Sequence, residues 1–149
     1  MLARSIFAVL LLCALPVRGE GRIEMFYLYA PDCPYCAHWE ARARGELLAS
    51  PEGQAVRYVE VRGETLRQPI VARHYAPEFQ WVYQQIGPSR GVPRFLLAID
   101  GRITVSAYGT GGYSQVFLPA LRAAVANRAA AQPRAGYSKG GTHERHDPS

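Results

Sequence analysis

The run Ile23-Glu24-Met25-Phe26-Tyr27-Leu28-Tyr29 constrains the fold of this chain more than any other feature. It is rich in β-formers and nearly continuous in apolar character, which suits a central strand buried on both faces. Such a strand must be covered from above and below, so the run predicts an α/β architecture with helices on both faces of a sheet. Ala30-Pro31-Asp32 breaks the strand. From 34 to about 48 the period turns helical, with Cys36, Trp39, Ala43 and Leu47 on one face. Ser50-Pro51-Glu52-Gly53 reads as a loop, and 55–61 as a second strand.

Further along, 78–86 reads as a short helix with Pro77 tolerated at its first position. Phe79, Val82, Tyr83 and Ile86 recur there at helical spacing. Together with Tyr75 and Trp81 they are read as core packing in preference to a ligand groove. Whether 62–89 forms a substrate lid or only packing is open at this level. Phe95-Leu96-Leu97-Ala98-Ile99 is a buried strand, and Asp100-Gly101 is a turn pair favoured in tight hairpins. The partner strand, 102–108, alternates Ile103, Val105 and Ala107 against polar neighbours. Gly109 to Gly112 reads as a flexible link. Ser114 can cap a last helix to about 130, with Phe117, Leu118, Leu121 and Val125 inward and Pro119 near its first turn. One crossover helix joining two early strands, followed by an antiparallel hairpin, predicts a mixed sheet.

The chain has 149 residues, which suits one domain. Hydrophobic residues make up 48% and charged residues 19%, enough for a packed core and against global disorder. Cations outnumber acids by 17 to 12, and sixteen of the cations are arginines scattered from Arg4 to Arg145. A nucleic-acid surface needs a clustered basic stripe, so that function is disfavoured. Residues 1–19 read as a signal peptide: Arg4 precedes an apolar run from Ile6 to Leu15, and Val17 and Gly19 are small enough for cleavage before Glu20. The run is short of the ~20 apolar residues that span a bilayer. A lipoprotein signal using Cys13 is disfavoured by Leu12 just before it. The expectation is an exported protein, not membrane-embedded after cleavage and periplasmic if the source is bacterial. Its domain is 20–130, and 131–149, rich in Gly, Ser, Pro and charge, is a disordered tail.

Once Cys13 leaves with the signal, Cys33 and Cys36 remain. A bridge between them closes so short a loop that it removes little entropy from the unfolded chain, so the pair is read as chemistry. Cys33-Pro34-Tyr35-Cys36 stands where strand hands over to helix, and a helix N-terminus favours a thiolate. Cys33 is expected to be the exposed attacking sulfur, and Cys36, one turn into the helix, the buried resolving one. Zinc needs four ligands, and His38 and His74 supply no second half-site. His143 and His146 are two ligands in the tail, read as solvated. Asp32 is expected to cap the helix through its carboxylate. His38 is read as a solvated surface residue, and Tyr35 as exposed and able to touch a partner.

With these elements in place the sequence resembles the thioredoxin superfamily. The resemblance spans about 23–126 and rests on Cys33-Pro34-Tyr35-Cys36 after a strand. It rests also on Arg90-Gly91-Val92-Pro93-Arg94-Phe95-Leu96-Leu97 followed by Asp100-Gly101-Arg102. It implies a thioredoxin-like fold and thiol–disulfide exchange through Cys33 and Cys36, with no dissociable cofactor and no metal. It further implies a cis-proline at Pro93, and Pro34, Tyr35, Val92 and Pro93 shaping the substrate groove. Expected partners are exported proteins carrying thiols or disulfides, and a membrane electron-transfer partner that recharges the pair. Departures are present. Asp32 stands where thioredoxins have Trp, Tyr27 stands near the place of their buried acid, and Cys-Pro-Tyr-Cys is the glutaredoxin form. Val before the cis-Pro is shared with glutaredoxins and periplasmic Dsb-type oxidants. The extra length, 62–89, is similar to that of periplasmic thioredoxin-like proteins serving sulfur oxidation or cytochrome assembly. The departures leave the redox direction open, with a reductant favoured. Two alternatives stand beside it: a glutathione-dependent glutaredoxin-like enzyme, and a module holding a soft ion such as Cu(I) between the two sulfurs.

Overall fold

The computed structural model describes residues 21–132. The signal-peptide reading of 1–19, with Cys13, and most of the tail reading, including His143 and His146, fall outside the described residues.

Four strands form one mixed sheet in the order β2-β1-β3-β4. Strand β1 (Ile23–Tyr29) runs parallel to β2 (Arg57–Arg62) and antiparallel to β3 (Arg94–Ile99), which pairs in turn with β4 (Arg102–Tyr108). This is an α/β fold, a central mixed sheet flanked by helices. The two central strands are buried on both faces, as their composition requires, and period-2 alternation divides the core into two halves. Met25 and Tyr27 of β1 and Phe95 and Leu97 of β3 point to one side. There they meet Trp39, Leu47, Phe117 and Leu121. Phe26, Leu28, Leu96 and Ala98 point to the other side, against Ile70, Tyr75, Phe79 and Val82. The segment 62–89 therefore covers one sheet face, with Tyr75 and Phe79 in the core and Trp81 and Tyr83 half-buried against it. Ile70 and Ser89 form an isolated antiparallel bridge that clasps its two ends.

The first helical stretch comprises α1 (Pro34–Trp39), a π-helical turn (Glu40–Arg44) and α2 (Gly45–Ala49). Cys36, Trp39 and Leu47 are buried on the predicted face. The expected loop after it is instead a short helix, α3 (Pro51–Gln54). Ser50 explains it: its Oγ accepts from the Gly53 N–H at 3.1 Å and donates to the Leu47 carbonyl at 2.7 Å, with Pro51 at the first helical position. Two 3₁₀ turns (Ala72–His74 and Pro77–Phe79) lead into α4 (Gln80–Ile86). The hairpin turn has φ of 51° at Asp100 and 75° at Gly101, the doubly left-handed conformation that an Asp-Gly pair tolerates.

The end of the chain departs from expectation. Gly109 to Gly112, read as a flexible link, forms α5 (Gly109–Gly112). It continues through a π-helical turn (Tyr113–Phe117) into α6 (Leu118–Ala131). Ser114 is not the cap; its hydroxyl donates back to the Gly111 carbonyl at 3.2 Å, inside the helix. Gly109, at φ of 69°, starts the helix with its N–H still bonded to the Pro93 carbonyl at 2.8 Å. Pro119 then sits inside the continuous helical stretch, just after the wide turn, where its missing N–H is accommodated.

Candidate active site

Cys33 and Cys36 are joined in a disulfide with Cα atoms 5.2 Å apart. The Cys33 N–H closes a turn onto the Ala30 carbonyl at 3.2 Å, which ends β1 and sets the direction of α1. Cys33 itself is the helix cap, its Sγ accepting from the Cys36 N–H at 3.2 Å, and Pro34 occupies the first turn. The sulfur of Cys33 is thus in the place where an unpaired helix N–H stabilises negative charge. Asp32 does not cap α1. Its carboxylate accepts instead from the Leu66 N–H at 2.6 Å and so ties the loop before Cys33 to the segment after β2. With Cys33 in the capping position, Asp32 lies one residue too early to reach the helix N–H groups.

The cysteines differ less in exposure than expected: Cys33 is 2% exposed and Cys36 1%. Cys33 is covered because its Sγ lies 3.7 Å from the Val92 carbonyl oxygen, on the loop entering β3. The Val92–Pro93 peptide is cis. Gly91 packs so closely on Tyr108 that a Cβ there would stand 3.1 Å from the ring. Pro34 and Tyr35 are exposed, Tyr35 to 67%, on the rim beside the disulfide. An open cleft of about 450 Å³ lies between Pro34, Tyr35, His38 and Thr110. A second cleft, about 250 Å³, reaches the cysteines from the other side, with Glu40 and Arg62 on its walls. Pro34, Tyr35, Cys33, Cys36, Val92 and Pro93 are therefore brought together at one end of the sheet, where central strand β1 ends and central strand β3 begins. His38 is exposed on α1 and lines only the first cleft.

Glu40 was not singled out from the sequence, and Tyr27 only as standing near the place of the family's buried acid. The Tyr27 hydroxyl donates to Glu40 Oε1 at 3.0 Å and lies 3.5 Å from the Cys36 carbonyl, fixing the helix behind the disulfide. Period-2 alternation along β1 could have put Tyr27 beneath the helix, but nothing local announces the π-helical turn that begins at Glu40. Among the described residues no group of three or more His, Cys, Asp or Glu is placed to hold a metal ion.

Burial and the neighbouring Glu40 carboxylate push the Tyr27 phenol well above its ordinary range, and burial and Glu60 do the same to Tyr58. Burial pushes Tyr75 up to about 12 and raises Tyr113. A phenol that ionises later in the folded state than in the unfolded one stabilises the fold fully below the unfolded value. That contribution is lost as pH rises through the folded values. The urea midpoint is accordingly expected to be insensitive to these groups up to about pH 9 and to fall steadily above about pH 10. Tyrosinate absorbance should grow together with unfolding. A midpoint unchanged through about pH 11 would contradict this.

No family model and no curated protein matches the chain. Among solved structures, the chain is similar to the periplasmic thioredoxin SoxS from Paracoccus pantotrophus in its reduced form. The identity is 22% over 72% of this chain and 99% of that one, with a TM-score of 0.49.

Proposed function

We propose that the protein is an exported thiol–disulfide oxidoreductase working through Cys33 and Cys36, in the reducing direction. The observation that carries this reading is the disulfide itself, held across the first turn of α1 with its outer sulfur 3.7 Å from the Val92 carbonyl. A pair so close in sequence staples nothing, yet stands where a thiolate is favoured. In the reduced protein the Cys33 thiolate attacks a partner's disulfide, forming a mixed disulfide and releasing one partner thiolate. Cys36 then attacks Cys33 Sγ, releasing the second partner thiol and restoring the Cys33–Cys36 bond. Two electrons pass to the partner, and a membrane-bound thiol donor returns them. Pro34, Tyr35, Val92 and Pro93 form the docking edge, and no dissociable cofactor is needed.

Export rests on the signal-like residues 1–19, and no helix among the described residues is long and apolar enough to cross a membrane. The test of direction is the redox potential of the pair, measured by equilibration in glutathione buffers. A value near about −270 mV is expected for a reductant, whereas one near about −120 mV would make the protein a disulfide donor. A pair that never cycles in these buffers would end the oxidoreductase reading and favour soft-metal binding.

A further inference from the structure

Building on the oxidoreductase reading, we infer that the surface around Cys33 selects partners whose reactive cysteine lies in an acidic stretch of polypeptide. Two stretches far apart in sequence contribute arginines to the rim of the disulfide, Arg62 and Arg67 from the end of β2 and the loop after it, and Arg90 from the loop before β3. Arg62, at the end of β2, lines the cleft that reaches both cysteines. Arg67 follows Leu66, whose N–H is bonded to Asp32 beside Cys33. Arg90 stands two residues before Val92, whose carbonyl lies against the Cys33 sulfur.

All three side chains are exposed, and among the described residues none has an acid or an acceptor. The carboxylates of the same rim are engaged: Asp32 by the Leu66 N–H, Glu40 by the Tyr27 hydroxyl and Glu64 by Arg73. Elsewhere, Arg22, Arg44, Arg57 and Arg122 are ion-paired, and Arg128 donates to the Gly21 and Ala55 carbonyls. Only Arg42 and Arg102 among the other described arginines are similarly unengaged. Three guanidinium groups without a salt-bridge partner thus stand at the disulfide, against two carboxylates, Asp32 and Glu40, held by neutral donors. Arg94 nearby is buried, donates to the Ser106 hydroxyl at 3.0 Å and lies with its guanidinium 4.8 Å over the Tyr108 ring.

Between the cations the rim offers apolar ground, with Tyr108 51% and Leu66 41% exposed. A guanidinium is a fork shaped for carboxylates, and exposed charges of one sign raise the encounter rate of the opposite sign in a salt-dependent way. An acidic segment with a central cysteine satisfies this rim, and a basic one is repelled by it.

The test uses the reduced protein and the symmetric disulfides of three short single-cysteine peptides. These differ only in whether two Glu, two Gln or two Arg flank the cysteine. Each turnover converts one peptide disulfide to two thiols and the dithiol of the protein to its disulfide. Each rate is divided by that peptide's rate with dithiothreitol, which removes its own reactivity. The normalised rate for the Glu peptide should exceed that for the Arg peptide about tenfold at low salt and less than about twofold at 0.5 M salt. The combined R62Q, R67Q and R90Q variant should lose most of this preference. Equal normalised rates for the three peptides, or a preference that survives in the variant, would overturn the inference alone. Failure to reduce any peptide would overturn the oxidoreductase reading as well.

Discussion

Cys33→Ser is expected to lower the rate of protein-disulfide reduction by at least about a thousandfold, because in the proposed cycle its thiolate is the nucleophile and nothing nearby replaces it. The geometry makes the two cysteines unequal even though both are buried. Cys33 caps the helix and receives the Cys36 N–H at 3.2 Å, so negative charge on its sulfur meets a donor already in place. Cys36 lies one turn along, with its carbonyl near the Tyr27 hydroxyl. Cys36→Ser should therefore keep the first step and lose the second, accumulating a mixed disulfide through Cys33 that intact-mass measurement detects. Retention of more than about a tenth of the activity by Cys33→Ser would sink the assignment of the attacking sulfur. If Cys36→Ser turns over at full rate with glutathione, the glutaredoxin-like alternative takes precedence, since one thiol suffices for that chemistry.

Phe95→Ala should cost about 3–5 kcal/mol of stability, the usual range for removing a fully buried aromatic ring. Phe95 is wholly buried in the half of the core beneath the disulfide. Its ring centroid lies 4.9 Å from that of Trp39, 5.0 Å from Tyr113, 5.4 Å from Tyr27 and 5.7 Å from Phe117. These neighbours come from a strand, α1 and the π-helical turn before α6, so the cavity cannot be closed by moving one element. Because a small domain has only about 5–15 kcal/mol in hand, the variant should sit near the edge of folding. Urea unfolding of the oxidised protein measures the difference. A loss below about 1.5 kcal/mol would show that the aromatic cluster repacks, contrary to what close packing of interiors leads one to expect.

Features carried by short-range pattern were legible before any coordinates. Strand β1, the Asp100-Gly101 hairpin and the buried face of Cys36, Trp39 and Leu47 follow from periodicity and turn chemistry alone. The close cysteine pair at the strand–helix junction did too. Other features depend on contacts between distant residues. Gly109 to Gly112 has poor intrinsic helix propensity, yet it is helical, entered through Gly109 at φ of 69° with its N–H still bonded to the Pro93 carbonyl across the hairpin. Asp32 is a good capping residue by type, but the turn onto Ala30 moved the cap one position on, to Cys33. Within the site, Arg62 and Glu40 were missed because each belongs to an element whose other residues carry ordinary strand or helix signals. Only folding brings them to the cleft beside the disulfide.

The Ile70–Ser89 bridge carries a consequence for how the molecule comes apart. Two reciprocal hydrogen bonds of 2.9 Å close residues 71–88 into a ring. That ring supplies Tyr75, Phe79 and Val82 to one sheet face. The disulfide, α1 and α6 lie with the opposite face. Opening the ring would bare Phe26, Leu28, Leu96 and Ala98, which it covers, so it cannot come away while that half of the core stays packed. The segment 62–89 is in this sense bound into the sheet by its buried Ile70, Tyr75, Phe79 and Val82, and tied to the loop before the disulfide by the Leu66–Asp32 hydrogen bond.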